Sequence, residues 1–210
     1  MIRILIADDH PVLRNGLKSI LVREFEGLVC GEAANAEEAL TRVEQEHWDL
    51  IILDISMPGR SGLEALKDLK RLRPMIPVLV MSVHPDVQYG RRVLMAGASG
   101  YLNKDAEPEE LVRAVRQLLS GNTYVSQTLA DSLVSHLRPD FHGPLHQTLS
   151  DREFEIMLLL ASGKTPTHIA EELHLNVTTI STYRARIMTK MNITTTSELM
   201  FYALSNRLVE

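Results

Sequence analysis

The stretch ILIADDHPV, residues 4–12, decides how the first half of the chain folds. Ile4 to Ala7 are apolar and run straight into two carboxylates, Asp8 and Asp9, with His10 and Pro11 behind them. An apolar run without alternation suits a strand buried on both faces, as in a parallel sheet. Adjacent like charges repel, so the doublet is either a solvated turn or half of a site that wants a cation.

Outward from this stretch, four further short apolar runs recur: LVCGEA (28–33), DLIILD (49–54), PVLVMS (77–82) and GYL (100–102). Amphipathic segments lie between them. In PVLRNGLKSILVRE the residues Val12, Leu13, Leu17, Ile20 and Leu21 share one helical face, and similar patterns fall around 36–46, 63–72, 86–96 and 107–119. Five strands alternating with five helices predict an α/β domain, a parallel sheet covered on both faces. Gly121 is expected to end the fifth helix.

Composition bounds the rest. The chain has 210 residues, 45% hydrophobic and 23% charged, with a net charge of −5. That length holds one large domain or two small ones. A lone cysteine, Cys30, excludes an internal disulfide and fits a reducing, cytoplasmic compartment. Acids arrive by residue 8, against a signal peptide. No apolar run approaches the roughly 18–20 residues that span a bilayer, so no membrane partner is expected.

In an open parallel sheet, ligands gather outside the carboxyl ends of the strands. Those ends carry Asp8-Asp9, Asp54 and Ser82, and Lys104 follows the fifth strand. In the order 2-1-3-4-5 the first and third strands are neighbours, and three carboxylates converge. Such a cluster becomes favourable around a hard cation, and carboxylate, carbonyl and water oxygens are what Mg²⁺ prefers. A lysine supplies a point charge for phosphate, and a carboxylate can serve as nucleophile to form an aspartyl phosphate. A phosphatase with a nucleophilic aspartate, of the haloacid-dehalogenase type, would carry a second Asp two positions on; here that residue is Ser56.

The motifs IADDH, LDISMPGRSG, VMS and GASGYLNKD occur in that order over residues 1 to about 121, and this region resembles the receiver domain of two-component response regulators. The resemblance implies a flavodoxin-like fold and makes Asp54 the phospho-acceptor for a sensor histidine kinase. It further implies that Asp9, Asp54 and the Ser56 backbone carbonyl ligate Mg²⁺, with Asp8 acting through water. Lys104 would contact the phosphoryl group, and Ser82 and Tyr101 would form the switch pair. Met57 through Gly62 reads as a tight turn shaping the site. Ser56 and His84 occupy positions where the family tunes phosphoryl lifetime. Asp105 stands where the family has a proline after the lysine, which opposes a cis bond there.

Residues 123–147 change texture. TLADSLVSHL (128–137) reads as one more helix, and RPDFHGPLHQ (138–147) as a mobile linker. Residues 148–210 show helix starts: the Ser150/Glu153 capping-box pattern, Thr165-Pro166, Asn176, and Thr195 or Thr196. Leu173 to Asn176 is a short break between two helices, a helix-turn-helix candidate. This region holds six Lys/Arg and seven Asp/Glu, whereas Leu173 to Ser197 has three cations and no acid. The second helix therefore presents a positive, hydroxyl-rich surface: Thr178, Thr179, Ser181, Thr182, Arg184, Arg186 and Lys190, types suited to phosphate and base-edge contacts.

The run LSDREFEIMLLLASGKTPTHIAEELHLNVTTISTYRARIMTKMNITTTSELMFYA resembles the LuxR-type four-helix domain; joined to a receiver, it resembles the NarL/FixJ family. By position, 166–173 is then the scaffold helix and 177–190 the recognition helix. Ser181, Thr182 and Ala185 would face bases, with Arg184, Arg186 and Lys190 nearer the backbone. The Ser-Thr-Tyr variant at 181–183 resembles the BvgA/EvgA type. Thr165-Pro166-Thr167-His168 departs from the family's usual Ser-Asn-Lys-Glu run, and Ser181 replaces a common lysine; fewer cations predict a shallow salt dependence.

The expected organisation is a receiver over 1–122, a partly helical linker over 123–147 and the DNA-binding domain over 148–210. The expected function is a transcription regulator rather than an enzyme, although the receiver assists its own phosphoryl transfer and dephosphorylation. The implied partners are double-stranded DNA, RNA polymerase and a second copy of the chain, with Leu199, Met200, Tyr202 and Ala203 of the last helix as dimer candidates or as core. Two alternatives stay open: DNA binding indifferent to phosphate, and a helical tail that binds protein instead of DNA.

Overall fold

The computed structural model describes residues 1–57, 62–83, 86–136, 144–206 and 208–209. The Met57–Gly62 turn, His84 and most of the 138–147 segment therefore fall wholly or largely outside the described residues. The chain divides into two compact units, Met1–Val134 and Ser135–Glu210.

In the first unit, β1 (Arg3–Ala7), β2 (Val29–Ala33), β3 (Leu50–Asp54), β4 (Val78–Ser82) and β5 (Gly100–Asn103) form one parallel sheet in the order β2-β1-β3-β4-β5. The intervening helices are α1 (Pro11–Glu24), α2 (Ala36–Gln45), α3 (Gly62–Leu72), α4 (Asp86–Met95) and α5 (Pro108–Leu119). This is the doubly wound order expected from the sequence. Ile4–Ala7, Leu50–Leu53 and Val78–Val80 are sealed from solvent on both faces, which is why they carry no alternation. A fully buried Leu or Ile contributes about 1.5–3 kcal/mol, so these central strands anchor the unit.

Local chemistry sets the boundaries. Pro11 occupies the first turn of α1, where a missing N–H costs nothing. Asn35 caps α2 by accepting from the Glu38 N–H, and Glu38 accepts from the Ala34 N–H. Gly62 opens α3 against the Ile55 backbone, too close for a side chain. Past α5 the chain turns at Gly121 (φ 81°). Tyr124 then pairs in parallel with β5: the Tyr101 N–H donates to the Tyr124 carbonyl, and the Tyr124 N–H to that of Ser99. A sixth helix, α6 (Gln127–His136), follows, with Leu129 buried where Gly90 of α4 leaves room.

In the second unit, Leu145–Thr148 is a 3-10 turn, where the sequence pattern predicts mobile linker. The reason is a distant partner: the Tyr202 hydroxyl accepts from the His146 N–H and lies 3.0 Å from its Nδ1. Helices α7 (Asp151–Ala161), α8 (Pro166–Glu172), α9 (Val177–Met191) and α10 (Thr196–Ser205) come next. Ser150 and Thr195 each close a capping box, with Glu153 and Glu198. Asn176 precedes α9 as expected, but its side chain makes no capping bond. His174 takes a left-handed conformation (φ 51°), turning the chain between α8 and α9. Phe154, Ile156, Ile169, Ile180, Ile187, Leu199 and Ala203 form the core.

Candidate functional site

Strand register builds the first site. Ala7 pairs with Leu53 and Asp54 with Met81, so Asp8 leaves β1 beside the end of β3. Ser82 pairs with Asn103, and the Lys104 N–H donates to the Ser82 carbonyl, extending the ladder one residue into the site. Asp8, Asp54 and Ser82 are almost fully buried, at 2%, 1% and 0% exposure.

Lys104 Nζ lies 2.7 Å from Oδ2 of both Asp8 and Asp54. The approach to Asp54 is an ion pair without hydrogen-bond alignment. Asp54 Oδ1 accepts from the Ser56 N–H at 2.9 Å, and Asp8 Oδ1 from the His10 N–H at 2.7 Å. Burial pushes the Asp54 carboxyl above its ordinary range, against the pull of Lys104 and the Ser56 amide. Burial opposes the charged form of Lys104 too, but its pairing with Asp54 and Asp8 outweighs this and its pKa is raised. Two carboxylates, Asp8 and Asp54, share one ammonium, with Asp9 beside them, and the pocket keeps an excess of negative charge.

A metal fits such a pocket. Ligand atoms of Asp8, Asp9, His10 and Asp54 all lie within 4.8 Å of one another. Two carboxylate oxygens, Asp9 Oδ1 and Asp54 Oδ2, are buried without an aligned hydrogen bond. All the donors in this group except His10 are oxygens, which suits a hard divalent cation.

Sequence reasoning assembled Asp8, Asp9, Asp54, Ser56, Ser82 and Lys104, and these gather at one end of the sheet. Tyr101 lies on β5, paired with Val80 and 1% exposed, so its ring is turned inward. Two participants were not anticipated. Arg14, one turn into α1, donates to the Asp8 carbonyl at 2.6 Å and also reaches Glu32. His10 places Nδ1 2.8 Å from Asp9 Oδ1 and 3.3 Å from Asp8 Oδ1. Its adjacency to the acid doublet was the signal available in the sequence. A groove of about 520 Å³ between α1 and the start of α5, lined by Val12, Leu13, Ile20, Val83 and Leu102 among others, opens beside Lys104.

On α9, Thr178, Ser181, Thr182, Ala185, Arg186 and Thr189 are exposed along adjoining rows. The hydroxyls of Ser181, Thr182 and Thr189 donate to carbonyls one turn back, at 3.0 Å each. Thr179 and Arg184 are half-buried. Arg184 donates to the Thr196 hydroxyl at 2.9 Å, and Lys190 pairs at 2.6 Å with Glu153 of α7. Two of the three cations on this helix are thus tied to neighbouring helices. In α10, Leu199 and Ala203 are core; Phe201 and Leu204 are the exposed apolar residues.

The chain matches the family described as response regulator receiver domain over residues 4–116, and that described as bacterial regulatory proteins, luxR family, over residues 147–203. It is 36% identical to the response regulator GacA of Pseudomonas aeruginosa over 212 aligned residues, covering 100% of this chain and 99% of GacA. It is 35% identical to the response regulator UvrY of Escherichia coli, covering 99% and 96%. Among solved structures it resembles Salmonella typhimurium RcsB, with TM-score 0.60 and 25% identity over 97% of this chain and 98% of that one. No helix among the described residues is long and apolar enough to cross a membrane. The buried acidic pocket at the strand ends, the helix-turn-helix behind it in sequence and these full-length relatives lead to one conclusion: the chain belongs to the NarL/FixJ family of two-component response regulators, a receiver domain joined to a LuxR-type domain that binds DNA to regulate transcription.

Proposed function

We propose that a sensor histidine kinase phosphorylates Asp54 and that this controls DNA binding by α9. The observation that carries the reading is Lys104 seated between Asp8 and Asp54 in a pocket with surplus negative charge. Asp54 offers a carboxylate oxygen to the phosphorus; a P–O bond forms as the P–N bond to the kinase histidine breaks. Lys104 meets the charge on the transferred group. Asp9, Asp54 and the Ser56 carbonyl, with Asp8 through water, would hold Mg²⁺, which would supply further positive charge there. The same residues assist the later hydrolysis, and the receiver is otherwise no enzyme. Ser82 turns its hydroxyl toward the new oxygens, and the inward position of Tyr101 supports its pairing with that movement.

In this reading residues 1–122 are the receiver, 123–147 the linker and 148–210 the DNA-binding domain, working in the cytoplasm and acting on RNA polymerase. Thr178, Ser181, Thr182 and Ala185 face base edges, with Thr179 at the rim, and Arg186 meets phosphate. Arg184 and Lys190, assigned to the DNA backbone from sequence, serve in the free protein to hold α9 in place. Solved RcsB is described as dimers bound to DNA; a dimer here is supported by exposed Phe201 and Leu204 on α10. The scarcity of free cations on α9 favours a second reading, a tail that binds protein.

Acetyl phosphate with Mg²⁺ tests the acceptor. One phosphoryl group is expected on the wild type and none on Asp54→Asn. Equal labelling of the variant would remove Asp54 from the role.

A further inference from the structure

Arg14 holds the acid doublet by its backbone. The Asp8 N–H donates to the Ala33 carbonyl at 3.1 Å, and β2 ends at Ala33. The Asp8 carbonyl, on the peptide that joins Asp8 to Asp9, has no further strand residue on that side to continue the ladder. Arg14 supplies the donor instead. Its side chain reaches back over the first turn of α1, and Nη1 donates to this oxygen at 2.6 Å. The side chain is only 14% exposed.

Both ends of the arrangement are anchored. Arg14 Nε lies 3.5 Å from Glu32 Oε2 on β2, and Lys18 Nζ lies 2.8 Å from the other oxygen of Glu32. On the pocket side, Asp8 Oδ1 accepts from the His10 N–H and Oδ2 pairs with Lys104 Nζ, each at 2.7 Å. Arg14 thus orients the peptide from which the Asp8 carboxylate hangs, while His10 and Lys104 orient the carboxylate itself. A guanidinium suits this task. It is planar, always charged and presents its donors in a fixed fork, so one group spans a carboxylate and a carbonyl. A displacement of about 1 Å near reacting groups can cost roughly a hundredfold in rate.

We propose that Arg14 is a positioning residue for phosphoryl transfer to Asp54: by fixing the Asp8–Asp9 peptide against β2, it holds the turn in the form that receives the phosphoryl group. The inference rests on the reading of Asp54 as phospho-acceptor. Arg14 acts through Asp8 rather than on the reacting atoms.

The test compares the full chain as wild type, Arg14→Met, Arg14→Lys, Glu32→Gln and Lys18→Met. Two quantities are read: the rate of labelling by acetyl phosphate with Mg²⁺, and hydrogen exchange of the His10 amide in the unphosphorylated protein without Mg²⁺. Arg14→Met is expected to label more slowly by about tenfold or more. Its His10 amide exchanges faster by about tenfold or more, while that of Leu21, buried later in α1, stays within about twofold. Arg14→Lys recovers part of both losses, because it returns one charged donor to the carbonyl. Glu32→Gln, which weakens the anchor behind Arg14, loses about threefold in labelling. Lys18→Met breaks the other pair of Glu32 and stays within about twofold of the wild type. Unchanged labelling or unchanged His10 exchange in Arg14→Met overturns the proposal. So does an equal loss in Lys18→Met, which makes the Glu32 network merely structural. If Arg14→Met also speeds Leu21 exchange, Arg14→Lys and Glu32→Gln decide: slowed labelling with Leu21 unchanged supports the proposal, and wild-type labelling in both overturns it. Failure of the wild type to label, or equal labelling of Asp54→Asn, brings down the phospho-acceptor reading and this inference with it.

Discussion

The receiver pocket and the face of α9 handle charge in opposite ways. The pocket buries two acids, Asp8 and Asp54, with the Lys104 ammonium between them and Asp9 half-buried at its edge, so the buried charges depend on one another. Helix α9 exposes its hydroxyls and ties two of its three cations to α7 and α10. Buried charges with few partners give a site whose members can be named from position alone. On an exposed helix, which cation is free depends on what packs behind it.

Removing a charge from the pocket should have the largest effect. Lys104→Met leaves Asp8 and Asp54 buried and mutually repelling. Loss of a buried partner costs about 3–5 kcal/mol, so the receiver's urea midpoint should drop sharply without divalent ions and recover in part with Mg²⁺. An unchanged midpoint would mean the pocket tolerates its charges without Lys104.

The contrast within α9 is smaller. Arg186→Met should lower the slope of log K against log salt by about 0.9, the value for one phosphate contact, with little change in stability. Lys190→Met should leave the slope nearly unchanged but destabilise the helical domain by about 1–2 kcal/mol, since Glu153 loses its charged partner. If Lys190→Met also flattened the slope, Lys190 would be a phosphate contact and the distinction between the two cations would fail.

A still smaller effect concerns pH. Burial works against the ionised form of Glu153, but Lys190 and the Ser150 groups outweigh it and hold its pKa below the ordinary 4.5. A folded pKa below the unfolded one stabilises above the unfolded value, and that contribution is lost as pH falls. The helical domain should therefore lose stability below about pH 5, and Glu153→Gln should flatten that part of the profile. A profile unaltered by the substitution would break the link.

Most of the receiver was legible because its signals are local or positional. Uniformly apolar runs marked doubly buried strands, and strand ends marked the site. Helix starts were legible in the second unit through Ser150, Thr165 and Thr195, whose caps act within one turn. What escaped depends on partners distant in sequence. The 3-10 turn at 145–148 exists because Tyr202 holds His146. Lys190 and Arg184 carried the right charge for DNA, but Glu153 and Thr196 engage them. Leu199 and Ala203, read from sequence as dimer candidates or as core, are core, and which of the two holds was settled only by packing, with Phe201 and Leu204 outside.

The central claim is that chemistry at Asp54 controls the affinity of α9 for DNA. The direct measurement is the DNA-binding isotherm of the full chain, at fixed salt, with and without acetyl phosphate and Mg²⁺, beside Asp54→Asn. The account predicts tighter binding for the phosphorylated wild type and no response from the variant. Identical isotherms for phosphorylated and unphosphorylated wild type would contradict it.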